Sequence, residues 1–353
     1  MTGVATGTTA ALARKARRDP IVAVRRYGVV LALVVLLAML GVASPTFFRW
    51  TNLANILSQW APVGIMAVGT TYVILAGGFD LSVAAGFAFC AVVAAALGHA
   101  AMPPSLAFLA SVLVGSAIGL VNATLVVGLR INPFVATLAS GFILNSLPYV
   151  IVDSPFIEVD EPGFDALGTG AWHGIPYTGL IIVGFLVVSG IILAKTQYGH
   201  LLYAVGGNAE ISHLVGIRVR HVVASTYIFS GFCVGIAAAL ATSQLSYSAA
   251  DQDPVLVFDV IVAVVVGGTS LAGGIGSMWQ TAVGVAILAI LQNGLNLLDI
   301  NTFYQYVIKG CLIIGAVSLD VWARWLFRIR QIDRVAMVRR LVRSRAQRAS
   351  TGS

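Results

Sequence analysis

Long apolar runs, separated by short polar stretches, cover most of this chain of 353 residues. A helix needs roughly 20 mostly apolar residues to cross a hydrocarbon core of about 30 Å, so runs of this kind predict membrane-spanning helices. The runs lack the period-two alternation that membrane β-barrels show. Ten segments fit or nearly fit a span: Val29–Ala43, Ala61–Ala76, Leu81–Leu97, Ser105–Leu129, Pro133–Val152, Tyr177–Ala194, Val222–Ser243, Val255–Gly267, Met278–Leu298 and Phe303–Val321.

The pattern therefore predicts an all-α polytopic membrane protein with about ten transmembrane helices. Composition agrees with this prediction, since 58% of the residues are hydrophobic and only 10% are charged. Soluble domains have roughly 45–50% apolar and about 25% charged residues. Lipid is thus the solvent for most of this chain.

Basic charge is concentrated at the two ends. Of the 21 Lys and Arg residues, six lie within 14–26 and nine within 324–348. Basic segments beside spans remain in the cytoplasm, which predicts a cytoplasmic N-terminal tail (1–26), a transmembrane domain (27–323) and a cytoplasmic C-terminal tail (324–353). Eight or twelve spans would also place both tails inside. The core offers no folded basic face for nucleic acid.

Two of the spans are short and run into similar glycine-rich decapeptides. Ala61–Ala76 leads into GGFDLSVAAG (Gly77 to Gly86), and Val255–Val266 leads into GGTSLAGGIG (Gly267 to Gly276). The likeness predicts a diverged parallel repeat in which two helices break at matched places, although glycine-rich segments also match by chance. Paired interrupted helices are where transporters place the substrate path, so Gly77, Gly78, Gly267 and Gly268 are candidate gating residues.

Among the ionisable residues within or beside the predicted spans, three stand out: Asp80, Asp259 and Lys309. Such residues are costly in a bilayer and are functional candidates by default. Asp80 either accepts hydrogen bonds at the start of the next helix or contacts substrate. Asp259 either snorkels to the outer interface or takes part in pairing or gating, and Lys309 faces protein or water, or snorkels outward.

The most specific polar element is the predicted cytoplasmic loop 195–221, KTQYGHLLYAVGGNAEISHLVGIRVRH. Asn208 is a good N-cap, Glu210 favours a first helical turn, and Gly216 is placed to end the helix after about two turns. A short capped helix between two spans indicates a docking element. The alternative is an interfacial helix with no partner.

Motifs of catalysis do not occur. The chain has no HExxH, GxSxG or GxxxxGK[ST] sequence, and Gly-Lys is absent altogether. We therefore expect no enzymatic activity, metal site or cofactor in this chain. If transport uses ATP, a partner must bind ATP and Mg²⁺.

The loop and both glycine pairs resemble the permeases of bacterial ATP-binding-cassette importers for monosaccharides, such as ribose, xylose, arabinose, galactose and autoinducer-2. Departures include Ala84, His200, Val257 and Asn145-Ser146, where this family often has other residues. The resemblance covers about Phe47 to Asp320 and rests on six motifs: IMAVGTTYVILAGGFDLSV (Ile65 to Val83), NPFVATL (Asn132 to Leu138), YGHLLYAVGGNAEISHLVGI (Tyr198 to Ile217), DVIVAVVVGGTSLAGGIGS (Asp259 to Ser277), NGLNLL (Asn293 to Leu298) and KGCLIIGAVSLD (Lys309 to Asp320).

The resemblance implies a multi-pass protein of the bacterial inner membrane that carries a sugar-like solute. It implies a cytoplasmic ATPase that receives the short helix, with coupling residues Tyr198, Gly207, Asn208, Glu210 and Gly216. It also implies a second permease copy, identical or paralogous, and an extracytoplasmic binding protein. The acidic outer loops, most of all Asp153 to Asp165, either dock that binding protein or reflect positive-inside bias.

Three other functions are alternatives to an ATPase-driven sugar permease. An ion-driven secondary carrier would transport without partners and usually contains an inverted repeat. A related permease for branched-chain amino acids or nucleosides would have the same composition. A membrane-embedded enzyme would need a nucleophile, a base or a metal cluster that the sequence does not offer.

Overall fold

The computed structural model describes residues 20–152, 156–249, 255–315 and 318. Most of both predicted tails, and the acidic residues Asp153, Asp251 and Asp253, lie outside this part. A last helix, α14, covers 302–315. The other helices are α1 (Pro20–Ala43), α2 (Trp50–Gln59), α3 (Ala61–Leu75), α4 (Val83–His99), α5 (Pro104–Ala123), α6 (Pro133–Ile151), α7 (Ala166–Thr169), α8 (Tyr177–Lys195), α9 (Gln197–Gly207), α10 (Ala209–Leu214), α11 (Val219–Leu245), α12 (Leu256–Val266) and α13 (Met278–Leu297).

Two small antiparallel sheets lie between the helices. Strand β1 (Phe156–Glu158) pairs with β4 (Tyr247–Ala249), and β2 (Ala171–Trp172) pairs with β3 (Ile175–Pro176). A π-helical turn, Thr124–Gly128, follows α5 directly. The described residues fall into two units, one ending at Tyr306 and one beginning at Val307.

A helix lies in each of the ten predicted segments, and the last segment is described only at 303–315 and 318. In the described part, five helices are long and apolar enough to cross a membrane: Pro104–Gly128, Pro133–Val150, Tyr177–Lys195, Val219–Leu245 and Met278–Leu297. Four more are apolar but shorter: Gly28–Ala43, Ala61–Leu75, Val83–His99 and Leu256–Val266. The all-α membrane fold is confirmed, whereas the number of spans and the sides of the termini stay predictions.

The centre of the first unit is formed by α3, α4 and α11. Every residue of α3 except Val63 is buried, and most residues of α11 between Val222 and Ser243 are buried. A helix that is apolar on all sides is stable only when protein or lipid covers it completely. Helix α3 is covered by the rest of the protein, since its residues are buried within this chain.

Small residues bring α5 and α11 into backbone contact. A Cβ atom on Gly115 would meet the carbonyl oxygen of Gly231, and one on Gly119 would meet that of Tyr227. The Ser111 hydroxyl donates to the Gly235 carbonyl over 2.9 Å. Such small-residue spacing lets helices pack closely in lipid. The GxxxG segments Gly115–Gly119 of α5 and Gly231–Gly235 of α11 therefore pack against each other within one chain.

The outer helices expose apolar side chains. Leu113 of α5 is 60% exposed and Val188 of α8 is 57% exposed. Other large apolar residues of these two helices are exposed to a similar extent. In water such continuous exposure of large apolar residues would be unfavourable, but lipid solvates it. This surface agrees with a multi-pass membrane protein.

Candidate coupling and gating site

The first helix break, break 1 (residues 76–82), follows α3. Gly77 has φ = +83°, its N–H donates to the Ile74 carbonyl, and the Gly78 N–H donates to the Val73 carbonyl, both over 2.9 Å. This bond pair is a Schellman motif, in which a left-handed residue ends the helix. Glycine is favoured at position 77 because it adopts positive φ without strain.

The second break, break 2 (residues 267–277), ends α12 in the same way. Gly268 has φ = +107°, its N–H donates to Val265 over 2.9 Å, and the Thr269 N–H donates to Val264 over 3.2 Å. The left-handed residue is thus the first glycine of the pair in break 1 but the second in break 2. The sequence alignment of the two decapeptides is therefore wrong by one residue, because shared Gly-Gly letters do not fix which glycine ends the helix.

Asp80 lies in break 1 and is only 4% exposed. Its Oδ1 accepts the Ser82 backbone N–H over 3.1 Å and the Ser82 hydroxyl over 2.6 Å. Its Oδ2 accepts the hydroxyl of Ser230 on α11 over 3.0 Å. Asp80 therefore accepts a freed backbone N–H as predicted, although the residue at the N-cap position of α4 is Ser82.

The Asp80 hydrogen bonds continue into two further helices. The Asn122 amide of α5 donates to the Ser82 hydroxyl over 2.7 Å, and the hydroxyl of Ser140 on α6 donates to Asn122 Oδ1 over 2.7 Å. All five side chains, including Ser230, are buried. We call these five residues the Asp80 network. It connects break 1 to α5, α6 and α11.

The backbone of break 1 is also bonded to the surrounding helices. The Tyr227 hydroxyl of α11 donates to the Phe79 carbonyl over 3.1 Å, and the Leu81 N–H donates to the hydroxyl of Thr137 on α6 over 3.1 Å. Non-helical backbone at membrane depth needs such partners because lipid supplies none. Asn122, Ser140 and Ser230 were not predicted, because a serine or asparagine in an apolar run gives no indication of where its partner lies.

The loop between α8 and α11 contains the predicted capped helix. Asn208 Oδ1 accepts the Ile211 N–H over 2.9 Å at the start of α10. Gly216 has φ = +87°, and the following Ile217 N–H donates to the Ser212 carbonyl over 3.0 Å. Glu210 stands in the first turn. The N-cap and the glycine end are confirmed.

The same loop holds a second helix, α9, that the sequence did not predict. Its Tyr198 hydroxyl forms a hydrogen bond of 2.8 Å with the Ser225 hydroxyl of α11, and its Tyr203 hydroxyl donates to the Gly276 carbonyl over 2.9 Å. Burial raises the pKa of both tyrosines above the ordinary value, so both hydroxyls stay protonated at neutral pH. The loop is anchored to α11 and to break 2.

Residues 52–317 match the family model described as the permease component of the branched-chain amino acid transport system. The chain belongs to this permease family. The ribose import permease of Bacillus subtilis is 36% identical over 84% of this chain and 92% of its own. The L-arabinose transporter permease of Azospirillum brasilense is 35% identical over 85% and 89%, and the galactose/methyl galactoside import permease of Salmonella typhimurium is 34% identical over 83% and 93%. No solved structure matches the chain.

The other predicted site residues of the permease lie on α9, α12 and α14. Asp259 is half-buried in the first turn of α12, at the opposite end of that helix from Gly267. Lys309 is half-buried in α14 and belongs to the second unit. In α9, the Cβ position of Gly207 faces open space.

The exposed side of α6 differs from that of the other outer helices of the permease. Asn145 and Ser146 are exposed in the interior of this apolar helix. Phe142 (70% exposed) lies one turn before them, and Tyr149 (55% exposed) lies one turn after. We call Phe142, Asn145, Ser146 and Tyr149 the α6 stripe. Lipid cannot satisfy an exposed carboxamide, so this side needs water, solute or protein beside it.

Proposed function

We propose that this protein is the membrane subunit of a monosaccharide importer driven by a separate ATPase. The observation that carries the proposal is the similarity to permeases named for ribose, arabinose and galactose, which extends over more than four-fifths of both chains. The sequence has no nucleotide-binding motif, which agrees with ATP binding by a separate subunit.

In this proposal α10 docks in a groove of the cytoplasmic ATPase. Ile211, Leu214 and Val215 are 59%, 78% and 71% exposed, so the short helix offers an apolar surface that nothing in the described chain covers. The Asn208 cap defines where α10 begins, and the left-handed Gly216 defines where the segment ends. Both features restrict the conformation of this apolar surface. A rigid apolar anchor is what a partner groove binds best.

The ten helices that match predicted spans would each cross the membrane, with both tails in the cytoplasm. This arrangement places α9 and α10 on the side of the two basic tails. It also places Lys195, Arg218 and Arg220 inside, in agreement with the positive-inside rule.

The solute path would follow the α6 stripe, with a second permease copy on its far side. Aromatic rings stack on the apolar faces of sugars, and amides and hydroxyls bond to their hydroxyl groups. The stripe combines both kinds of group in a row on one helix side. In this arrangement Asp80 acts on the path indirectly, because its carboxylate is buried and its hydrogen bonds are to protein groups.

The chemistry of the α6 stripe favours a sugar over an amino acid. A free amino acid carries an ammonium and a carboxylate, and burying such charges requires charged or strongly polar partners. The stripe presents an amide, a hydroxyl and two aromatic rings, all neutral, which suit a neutral polyhydroxylated solute.

The binding protein would dock on the acidic outer segment around β1. Glu158, Asp160 and Asp165 are exposed, and the 59% exposed Phe156 ring lies 6.2 Å from that of Tyr247. Replacing Asp160 and Glu161 by lysine should weaken binding of the partner at low salt, because screening is weakest there. Unchanged affinity in that assay would leave positive-inside bias as the explanation of the acidic loop.

The function can be tested by uptake into proteoliposomes that contain the permease with its ATPase and binding protein. We expect ATP-dependent uptake of at least one of labelled D-ribose, L-arabinose and D-galactose, and none when either partner is omitted. Uptake of sugar without the ATPase would instead show an ion-driven carrier. ATP-dependent uptake of leucine but of no sugar would assign the chain to amino acid transport.

A further inference from the structure

The C-terminal turn of helix α9 contacts the end of α3 and break 2 through its backbone. The Gly274 N–H of break 2 donates to the carbonyl of Leu75, the last residue of α3, over 2.9 Å. Break 2 is therefore hydrogen-bonded to the end of α3, at the residue directly before break 1. The C-terminal turn of α9 lies against this bond.

The contact of α9 with this bond depends on Gly206. A Cβ atom on Gly206 would overlap the Leu75 carbonyl oxygen and lie 2.6 Å from the Gly274 nitrogen. A Cβ atom on Gly273 would lie 2.9 Å from both the Gly206 oxygen and the Gly77 Cα. Three backbone segments, from break 1, break 2 and α9, thus meet without an intervening side chain.

Tyr203 adds a second connection between α9 and break 2. Its hydroxyl donates to the carbonyl of Gly276, which is two residues after Gly274. Tyr203 and Gly206 lie three residues apart and so on one side of α9. That side of the helix is hydrogen-bonded to break 2 and packed on Leu75 of α3, the residue directly before break 1.

We propose that α9 transmits movement of α10 to both breaks at once, with Gly206 as the positioning residue. This inference rests on the proposed function, in which α10 binds the ATPase. Helix α9 ends at Gly207 and α10 begins at Ala209, so only Asn208 separates them. Backbone atoms in direct contact have no flexible side chain to absorb a displacement, so a tilt of α9 displaces the end of α3 and residues 273–276 together.

The test is amide hydrogen exchange in the intact complex of permease, ATPase and binding protein, with and without ATP and vanadate. In the wild type we expect trapped nucleotide to change exchange severalfold in both 76–82 and 267–277. In Gly206→Ala we expect the complex to assemble and hydrolyse ATP within twofold of wild type, while the nucleotide-dependent change is lost in both breaks. The control is Gly184→Ala, since a Cβ atom there has open space.

A second variant keeps the test decisive if Gly206→Ala does not fold. Tyr203→Phe removes one hydroxyl and nothing else, so it should reduce the nucleotide-dependent change in 267–277 at least threefold and leave that in 76–82 within twofold. Tyr177→Phe is the matched control. A wild-type response in both breaks of Gly206→Ala, or in 267–277 of Tyr203→Phe, would overturn the inference.

The two proposals fail separately. A wild-type complex that hydrolyses ATP and changes exchange in both breaks, but takes up none of the three labelled sugars, would overturn the sugar assignment and support the role of α9. Normal sugar uptake by Gly206→Ala, with normal responses of both breaks, would support the sugar assignment and overturn the role of α9.

Discussion

Replacing Asp80 separates its two possible roles, holding break 1 or binding substrate. In Asp80→Ala three buried donors lose their acceptor: the Ser82 N–H, the Ser82 hydroxyl and the Ser230 hydroxyl. Leaving one buried group unpaired costs about 1–3 kcal/mol, and the three share a network, so we expect a total near 3 kcal/mol. At about 2–4 °C per kcal/mol, the temperature of thermal unfolding should fall by roughly 6–12 °C.

Asp80→Asn is the matched variant. The amide keeps one acceptor for Ser82, and the Ser230 hydroxyl can rotate to accept from the new NH₂ group, so we expect a loss of only about 1 kcal/mol. Both variants are measured by thermal unfolding in detergent and by sugar uptake. If Asp80→Ala unfolds at the wild-type temperature but no longer transports, the carboxylate acts on substrate and the structural role is refuted.

Three further variants test other parts of the structure. Asn208→Ala removes the cap of the six-residue helix α10; a loss of about 1 kcal/mol should weaken ATPase binding roughly fivefold, and unchanged affinity in a pull-down titration would contradict the docking role. Asn145→Leu should lower sugar uptake about tenfold without lowering the unfolding temperature, whereas normal uptake would remove α6 from the path. Gly231→Leu places a side chain against the Gly115 carbonyl; it should cost more than about 3 kcal/mol, and Gly184→Leu is its control.

Sequence predicted the features of the fold that local patterns determine. Apolar runs marked the helices, because a lipid-covered helix must be apolar along its whole length. The cap at Asn208 and the end at Gly216 followed from side-chain and backbone preferences that act within three residues. The family assignment rested on motifs in a fixed order, and the relatives confirm it.

The features that sequence missed depend on contacts between distant residues. Ser230 is 150 positions from Asp80, and Tyr203 is 73 positions from Gly276. Neither pair has a spacing that a helix or turn could reveal. Helix α9 was missed for a related reason, since its glycines at 199, 206 and 207 are unfavourable for a helix but allow the close packing that stabilises it here.

The two breaks are held in different ways, which predicts different mobility. Break 1 is bonded to α5, α6 and α11 through Asp80, Ser82 and Leu81. Break 2 has hydrogen bonds within itself, from the Ser270 N–H to Ile275 and from the Gly273 N–H to Ser270, and it is bonded to α3 at Leu75 and to α9 at Tyr203. Opening break 1 must therefore disrupt several interhelical bonds of about 1 kcal/mol each, which is worth roughly tenfold or more in exchange rate. In the permease without nucleotide, amides in 77–82 should exchange at least tenfold more slowly than those in 268–276, and equal rates would show that the Asp80 network does not restrain break 1.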